Sequence, residues 1–154
     1  MHLELLHPMI IHFPIVLLLQ AALIDTLVTV RGGSLSGAGA LPLAGRLSLL
    51  AGAAAAVVAV TFGYLAHDIA VDKGFSDALI EQHEGLGVTT ASTFAILALA
   101  RFAAPRFGFP LDGWRGQVAA GLTVAGIALL LTTAYFGGSL VYEHGVNVGL
   151  VKPS

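Results

Sequence analysis

Histidine is the residue type in this sequence best suited to chemistry, and the chain of 154 residues contains six histidines. Imidazole binds transition metals and haem iron, and it exchanges protons near neutral pH. Cysteine is absent, which excludes disulfides, thiolate metal sites, iron–sulfur clusters and covalent haem attachment. Any metal must therefore be held by histidine, by carboxylate or, more weakly, by methionine.

The composition indicates whether the segments that carry these histidines lie in water or in lipid. Hydrophobic residues make up 56% of the chain and charged residues only 10%, and the mean hydropathy is +0.88. A soluble domain carries about 25% charged residues, so lipid must be the solvent of this one. The net charge of −2 and the lack of a basic run argue against nucleic acid as a partner.

Four apolar stretches are long enough to cross a bilayer, which takes about 20 residues in a helix. They cover residues 8–30, 41–65, 85–103 and 118–141. Each is expected to be helical because lipid offers no partner for a free backbone amide. The predicted fold is an all-α, integral membrane four-helix bundle of two helical hairpins, forming one transmembrane domain over residues 1–154.

Three local features qualify this fold. Pro14 lies inside the first span and is expected to kink it near its outer end. The glycine- and serine-rich residues 32–37 are predicted to form a flexible loop. The polar segment 68–84 has room for a short surface helix.

The distribution of charge predicts the orientation. The connections between spans one and two and between spans three and four carry five arginines: Arg31, Arg46, Arg101, Arg106 and Arg115. The opposite face carries seven acidic residues and only Lys73 and Lys152. The positive-inside rule then places the arginines in the cytoplasm and both termini outside (N-out/C-out), in a bacterial cytoplasmic (inner) membrane.

On this topology, five histidines converge at the outer helix ends: His7, His12, His67, His83 and His144. His12 lies about 6 Å inside the first helix, and ionisable side chains at such depth usually face the bundle interior and mark function. His7 and His12 point about 140° apart on a regular helix, so they need not bind one ion. For His67 and His2 an ordinary interfacial position is the favoured explanation.

Small residues accumulate at the same level. The glycines there include Gly63 and Gly137, and glycine lets a helix or a flat cofactor approach a backbone closely. The hydroxyl residues Thr89 and Thr90 lie nearby and are typical of hydrogen bonding between helices. The inner half is nearly pure alanine, leucine and valine. The lack of a continuous polar path argues against a channel or an ion transporter.

Three segments resemble the bacterial membrane family known as domain of unknown function 2231. They are residues 7–14 (HPMIIHFP), 83–87 (HEGLG) and 137–146 (GGSLVYEHGV), and the resemblance covers essentially the whole chain. It implies that His7, His12, His83 and His144 belong to the family pattern, whereas His2 and His67 do not. Some members are joined to cytochrome c-like domains, which implies a redox context.

The leading functional hypothesis is a b-type haem protein that transfers electrons near the outer membrane face. Haem iron accepts two axial imidazoles, and helix bundles bury cofactors between facing helices. The candidate ligands are His7, His12, His83 and His144, for one haem or two; pairing His12 with His83 and His7 with His144 is one arrangement. The acidic outer rim would attract a basic soluble carrier, such as a c-type cytochrome. This role is that of an electron-transfer protein or redox subunit rather than a stand-alone enzyme.

Two alternatives remain open. The same four histidines could hold copper, zinc or non-haem iron, since neutral imidazole suits all three. In the other alternative, the protein is a non-catalytic membrane subunit whose histidines only make hydrogen bonds, and no cofactor co-purifies. The sequence also leaves open a homo-oligomer.

Overall fold

The computed structural model describes residues 6–75 and 77–146. It contains five helices: α1 (Leu6–Ile10), α2 (His12–Val30), α3 (Ala40–Asp72), α4 (Asp77–Arg106) and α5 (Gly113–Tyr142). No strand occurs in the described ranges. The prediction of an all-helical chain is therefore confirmed.

The first span is interrupted at Ile11, between α1 and α2. The cause lies at Pro14, which has no backbone N–H to donate to the carbonyl of Ile10. The chain keeps a helical direction through the break, because Ile11 has helical backbone angles and its N–H donates to the His7 carbonyl. Residues 6–30 therefore form one apolar span that is interrupted near its first turn.

Both central helices are longer than the apolar stretches that predicted them. The expected separate surface helix in residues 68–84 does not form, because residues 68–72 continue α3 and residues 77–84 belong to α4. Once a helix exists, each added residue gains a backbone hydrogen bond at little entropic cost. The helix bounds also correct three arginines that were expected in the connections: Arg46, Arg101 and Arg115 lie inside α3, α4 and α5.

The helices form a square bundle. α2 packs against α3 and α5, and α4 packs against the same two helices. α2 and α4, which run in the same direction, are therefore diagonal neighbours, as are α3 and α5. Each of the four helices contributes to the central core, through Leu18, Leu49, Phe94 and Leu130. Gly126 makes room for Phe94, since a Cβ there would lie 2.9 Å from its ring.

The two connections at one end of the bundle are bonded to each other. Leu35, in the α2–α3 connection, is fully buried, and its N–H donates to the Leu111 carbonyl at 2.8 Å. The N–H of Leu111 in turn donates to the Ser36 hydroxyl at 2.9 Å. The loop predicted over residues 32–37 is therefore present, and these bonds tie it to the opposite connection. The sequence does not show that Leu35 inserts as an apolar anchor.

The outside of the bundle is apolar. Large hydrophobic side chains such as Val16, Leu23, Ile96 and Leu99 are more than half exposed. A soluble monomer rarely exposes apolar surface on this scale. Four helical segments are long and apolar enough to cross a membrane: Leu6–Val30, Ala40–Asp72, Ala78–Arg106 and Gly113–Tyr142.

Candidate functional site

Two imidazoles meet on the bundle axis at the end opposite the bonded loops. His7 of α1 and His83 of α4 have ring centroids 6.2 Å apart, with the ring planes at 75°. The histidines come from diagonally opposite spans, so their meeting point is the centre of the bundle rather than a groove on its side. Both are partly buried.

Each ring packs on a glycine of the neighbouring helix in its own hairpin. A Cβ on Gly63 of α3 would lie 3.3 Å from Cε1 of His7, and one on Gly137 of α5 would lie 2.7 Å from Cε1 of His83. Glycine is what allows the rings to approach these backbones so closely. The two hairpins thus provide equivalent half-sites.

The equivalence extends to the backbone carbonyls beside the two rings. Nδ1 of His7 lies 2.9 Å from the carbonyl oxygen of Ala59, four residues before Gly63. His83 interacts with the backbone carbonyl of Thr133, four residues before Gly137. In a helix, a residue and the fourth one after it lie on one face. Each histidine therefore lies against the same local pattern, namely a glycine and a backbone carbonyl one helical turn earlier.

Each ring keeps one nitrogen for another partner. Because Nδ1 of His7 carries the proton donated to Ala59, the lone pair of the neutral ring lies on Nε2. Nδ1 of His83 is buried and has no hydrogen-bond partner in the described part of the chain. Buried polar atoms nearly always have a partner, so this nitrogen is free to accept one from a water or a bound group.

A pair of threonines fixes α4 against α5 beside His83. The hydroxyls of Thr90 and Thr133 lie 2.7 Å apart, and Thr90 also donates to the carbonyl of Leu86 at 2.8 Å. Thr90 is almost fully buried. The same residue, Thr133, thus holds the helix pair with its side chain and meets His83 with its carbonyl.

The other predicted site residues do not join this pair. His12 is exposed on the outside of α2, and His144 is exposed after α5, with Nδ1 3.2 Å from the Ser139 carbonyl. The structure brings His7, and not His12, to His83. The reason is the angle of about 140° between positions five residues apart, which turns His12 outward when His7 faces the axis.

Of the remaining histidines, His67 lies in the described part of the chain and His2 lies outside it. Nδ1 of His67 is 2.6 Å from a carboxylate oxygen of Glu84, which links α3 to α4 at the level of the histidine pair. No three His, Asp or Glu side chains within residues 6–75 and 77–146 form a group that could hold a metal ion. A cleft of about 240 Å³ between α3 and α4 contains no histidine.

A buried ion pair, not predicted from the sequence, lies near the other end of the bundle. Asp25 of α2 is 0% exposed and Arg101 of α4 is 3% exposed. The guanidinium donates two hydrogen bonds to the carboxylate, at 2.8 and 3.0 Å. Gly45 makes room for the Asp25 carboxylate, since a Cβ at position 45 would lie 2.9 Å from Oδ1 of Asp25.

A spacing in the sequence could have revealed this pair. Asp25 follows His7 by eighteen residues, and Arg101 follows His83 by the same number. Eighteen residues are five turns of helix, so the two members of each set share one face, about 27 Å apart along the axis. The hydrocarbon layer is about 30 Å thick. The separation of the two polar pairs is therefore close to the thickness of that layer.

These features define the class. An all-helical protein with four spans long enough for a bilayer, an apolar outside and polar pairs near the two ends of its core is a multi-span membrane protein. The chain belongs to the family described as predicted membrane protein (DUF2231), whose model matches residues 4–150. No curated protein and no solved structure matches the chain. The family is thereby established, and the resemblance seen in the sequence is confirmed.

Proposed function

We propose that the protein binds haem b between His7 and His83 and transfers electrons at that end of the membrane. The observation that carries the proposal is the meeting of two imidazoles from diagonal spans on the axis of the bundle. His7 and His83 would hold the haem iron, and a bound haem would supply reversible one-electron chemistry there. The chain's part is to orient those imidazoles and to keep water from them.

The groups around the histidines support axial ligation. A ligating histidine usually donates its second ring nitrogen to a carbonyl, which fixes the tautomer and the ring orientation. His7 already does so through Ala59, and Nδ1 of His83 is free to accept a bound group. The rings of His7 and His83 pack against Gly63 and Gly137, and these glycines let both imidazoles lie close to the neighbouring helices.

The number of donors favours haem over a non-haem ion. Structural and catalytic zinc sites use three or four protein ligands. The described residues assemble no group of three such ligands, whereas haem requires only two from the protein. A non-haem copper, zinc or iron site remains the second candidate, and it would have to recruit His12 or His144 by a rearrangement.

The orientation proposed for the site follows from the surface charges. Arg31, Arg106 and Arg115 lie at the end with the bonded loops, which the positive-inside rule places in the cytoplasm. Arg101 does not contribute, because Asp25 neutralises it. The histidine pair would then face the outer side of a bacterial inner membrane, with both termini outside.

The rim around the histidine end suits a basic redox partner. Asp68, Asp72, Glu81 and Glu143 are exposed there. Complementary charge accelerates encounter with a partner of opposite sign, and salt weakens the effect. A c-type cytochrome with a lysine-rich face is the kind of soluble carrier that this rim would attract.

The test is an optical spectrum of the detergent-purified protein, first oxidised by air and then reduced with dithionite. We expect a Soret band that shifts on reduction and a sharp alpha band, with one haem per chain. His7→Ala and His83→Ala should each lose the low-spin spectrum. His12→Ala and His144→Ala, which remove exposed imidazoles, serve as matched controls and should keep it.

Two results would contradict the proposal. A colourless protein, expressed with ample haem, would exclude the haem site, and metal analysis would then separate a non-haem site from a structural subunit. A coloured protein that loses its low-spin spectrum in His12→Ala but keeps it in His7→Ala would mean that the ligands are not the pair on the axis.

A further inference from the structure

Gln20 is a polar residue on the outer surface of the bundle, deep in an apolar span. It is exposed on α2, next to Leu19, and lies eight residues from the start of that helix and ten from its end. That places it at least about 12 Å from either end. The other glutamines in the described ranges, Gln82 and Gln117, lie within the first six residues of α4 and α5. Gln20 is therefore the amide that lipid would surround.

An amide in lipid needs a partner, because its donors and acceptor lose water there. Exposed threonines in the spans solve this within their own helix: Thr26 donates to the Ala22 carbonyl at 2.8 Å, and Thr132 to the Ala128 carbonyl at 2.9 Å. The Gln20 amide makes no hydrogen bond to any residue that the structure describes. Its partner must come from another molecule.

We infer that two copies of this chain form a parallel dimer in which the Gln20 amides bond to each other across a twofold axis. Copies inserted in the same orientation can be related only by an axis parallel to the membrane normal, so each residue meets its own counterpart at the same depth. A carboxamide is self-complementary, since each oxygen can accept an N–H from the other copy. A second copy thus supplies both hydrogen bonds.

The residues around Gln20 provide the packing for such a contact. Gln20 belongs to a stripe of exposed residues that follow one another at alternating spacings of three and four. Its other members are Phe13, Val16, Leu23, Leu27 and Val30. This is the pattern by which two parallel helices interlock side chains. Because the face points away from the bundle axis, the dimer does not depend on the proposed haem site.

Disulfide cross-linking in membranes tests the dimer, and the natural lack of cysteine makes single-cysteine variants unambiguous. Leu23→Cys places a thiol on the α2 face, with Ile96→Cys on α4 as the control. The two positions are similarly exposed, at 61% and 65%. On mild oxidation, Leu23→Cys should form disulfide-linked dimers and Ile96→Cys should not. Equal cross-linking at both positions would overturn the inference.

The role of the amide is tested in the Leu23→Cys background. Gln20→Leu should reduce the fraction of cross-linked dimer about ten-fold, the effect of losing one to two hydrogen bonds inside a membrane. Gln20→Asn should restore part of it, and Gln117→Leu should leave it unchanged. Undiminished cross-linking by Gln20→Leu would show that the amide does not hold the copies together. The readout needs no haem, so its failure is distinct from failure of the proposed function.

Discussion

The buried pair of Asp25 and Arg101 provides a quantitative test of how the bundle is held together. Both side chains lie on the axis, almost without exposure, and join two helices that make no backbone approach to each other. Asp25→Leu leaves a guanidinium alone in the core, and Arg101→Leu leaves a carboxylate alone. Asp25→Leu combined with Arg101→Leu leaves neither charge.

The structure sets the expected magnitudes. Removing one member of a buried pair costs about 3–5 kcal/mol, because the other charge stays desolvated and unpaired. The two hydrogen bonds of 2.8 and 3.0 Å place this pair in that class. Replacing both members by apolar residues is often close to neutral. The double variant should therefore recover most of the stability that either single variant loses.

Unfolding of the purified protein in detergent, followed by circular dichroism, measures these free energies. Arg106→Leu is the matched control, since Arg106 is exposed at the end of α4, and it should change the free energy of unfolding by less than about 0.5 kcal/mol. If the loss in the double variant equals the sum of the two single losses, the side chains are not coupled. The account of the ion pair would then be refuted.

Three further predictions concern the histidine end. Gly137→Ala should displace haem and destabilise the protein by about 1–3 kcal/mol, because the added methyl group overpacks against His83. Gly138→Ala is the control and should bind haem normally, since its Cβ would meet nothing nearer than 3.9 Å. Haem content and the free energy of unfolding are measured for both variants. Thr133→Val should cost about 1 kcal/mol and shift the midpoint potential, whereas Thr132→Val, at an exposed hydroxyl, should do neither. The rate of electron transfer with a basic c-type cytochrome should fall steeply as salt rises from 10 to 200 mM; a salt-independent rate would contradict docking on the acidic rim.

The spans could be predicted from the sequence because lipid imposes one rule on every apolar stretch of sufficient length. The ends of the helices could not, because polar residues also continue a helix once it exists. The run from Asp68 to Asp72 illustrates this, since its charges suggested a separate segment although its backbone continues α3. The inserted Leu35 was missed for another reason, namely that burial of a loop residue depends on the opposite loop.

The site could be predicted in part. Topology alone gathers the histidines at one end, and the glycines at positions 63 and 137 were recognised as places of close approach. Whether His7 or His12 faces His83 depends on how the first helix is rotated about its axis. The sequence determines this rotation only if a second residue of the helix must also face inward. Asp25 is that residue: it lies five turns from His7, and therefore turns His7, and not His12, toward the axis.

The separation of the two polar pairs bears on how an electron-transfer site here would work. Between them the axis is filled by Leu18, Leu49 and Phe94, all fully buried, so the described core offers no polar route from one pair to the other. The Asp25–Arg101 pair is neutral as a unit and lies about 27 Å from the histidines by helix rise. The described core therefore gives protons no polar path from His7 and His83 to the other end of the bundle, and the proposed haem would lie near one end only. A site built this way suits exchange between two carriers on one membrane face, and the acidic rim at that face is the surface on which both would dock.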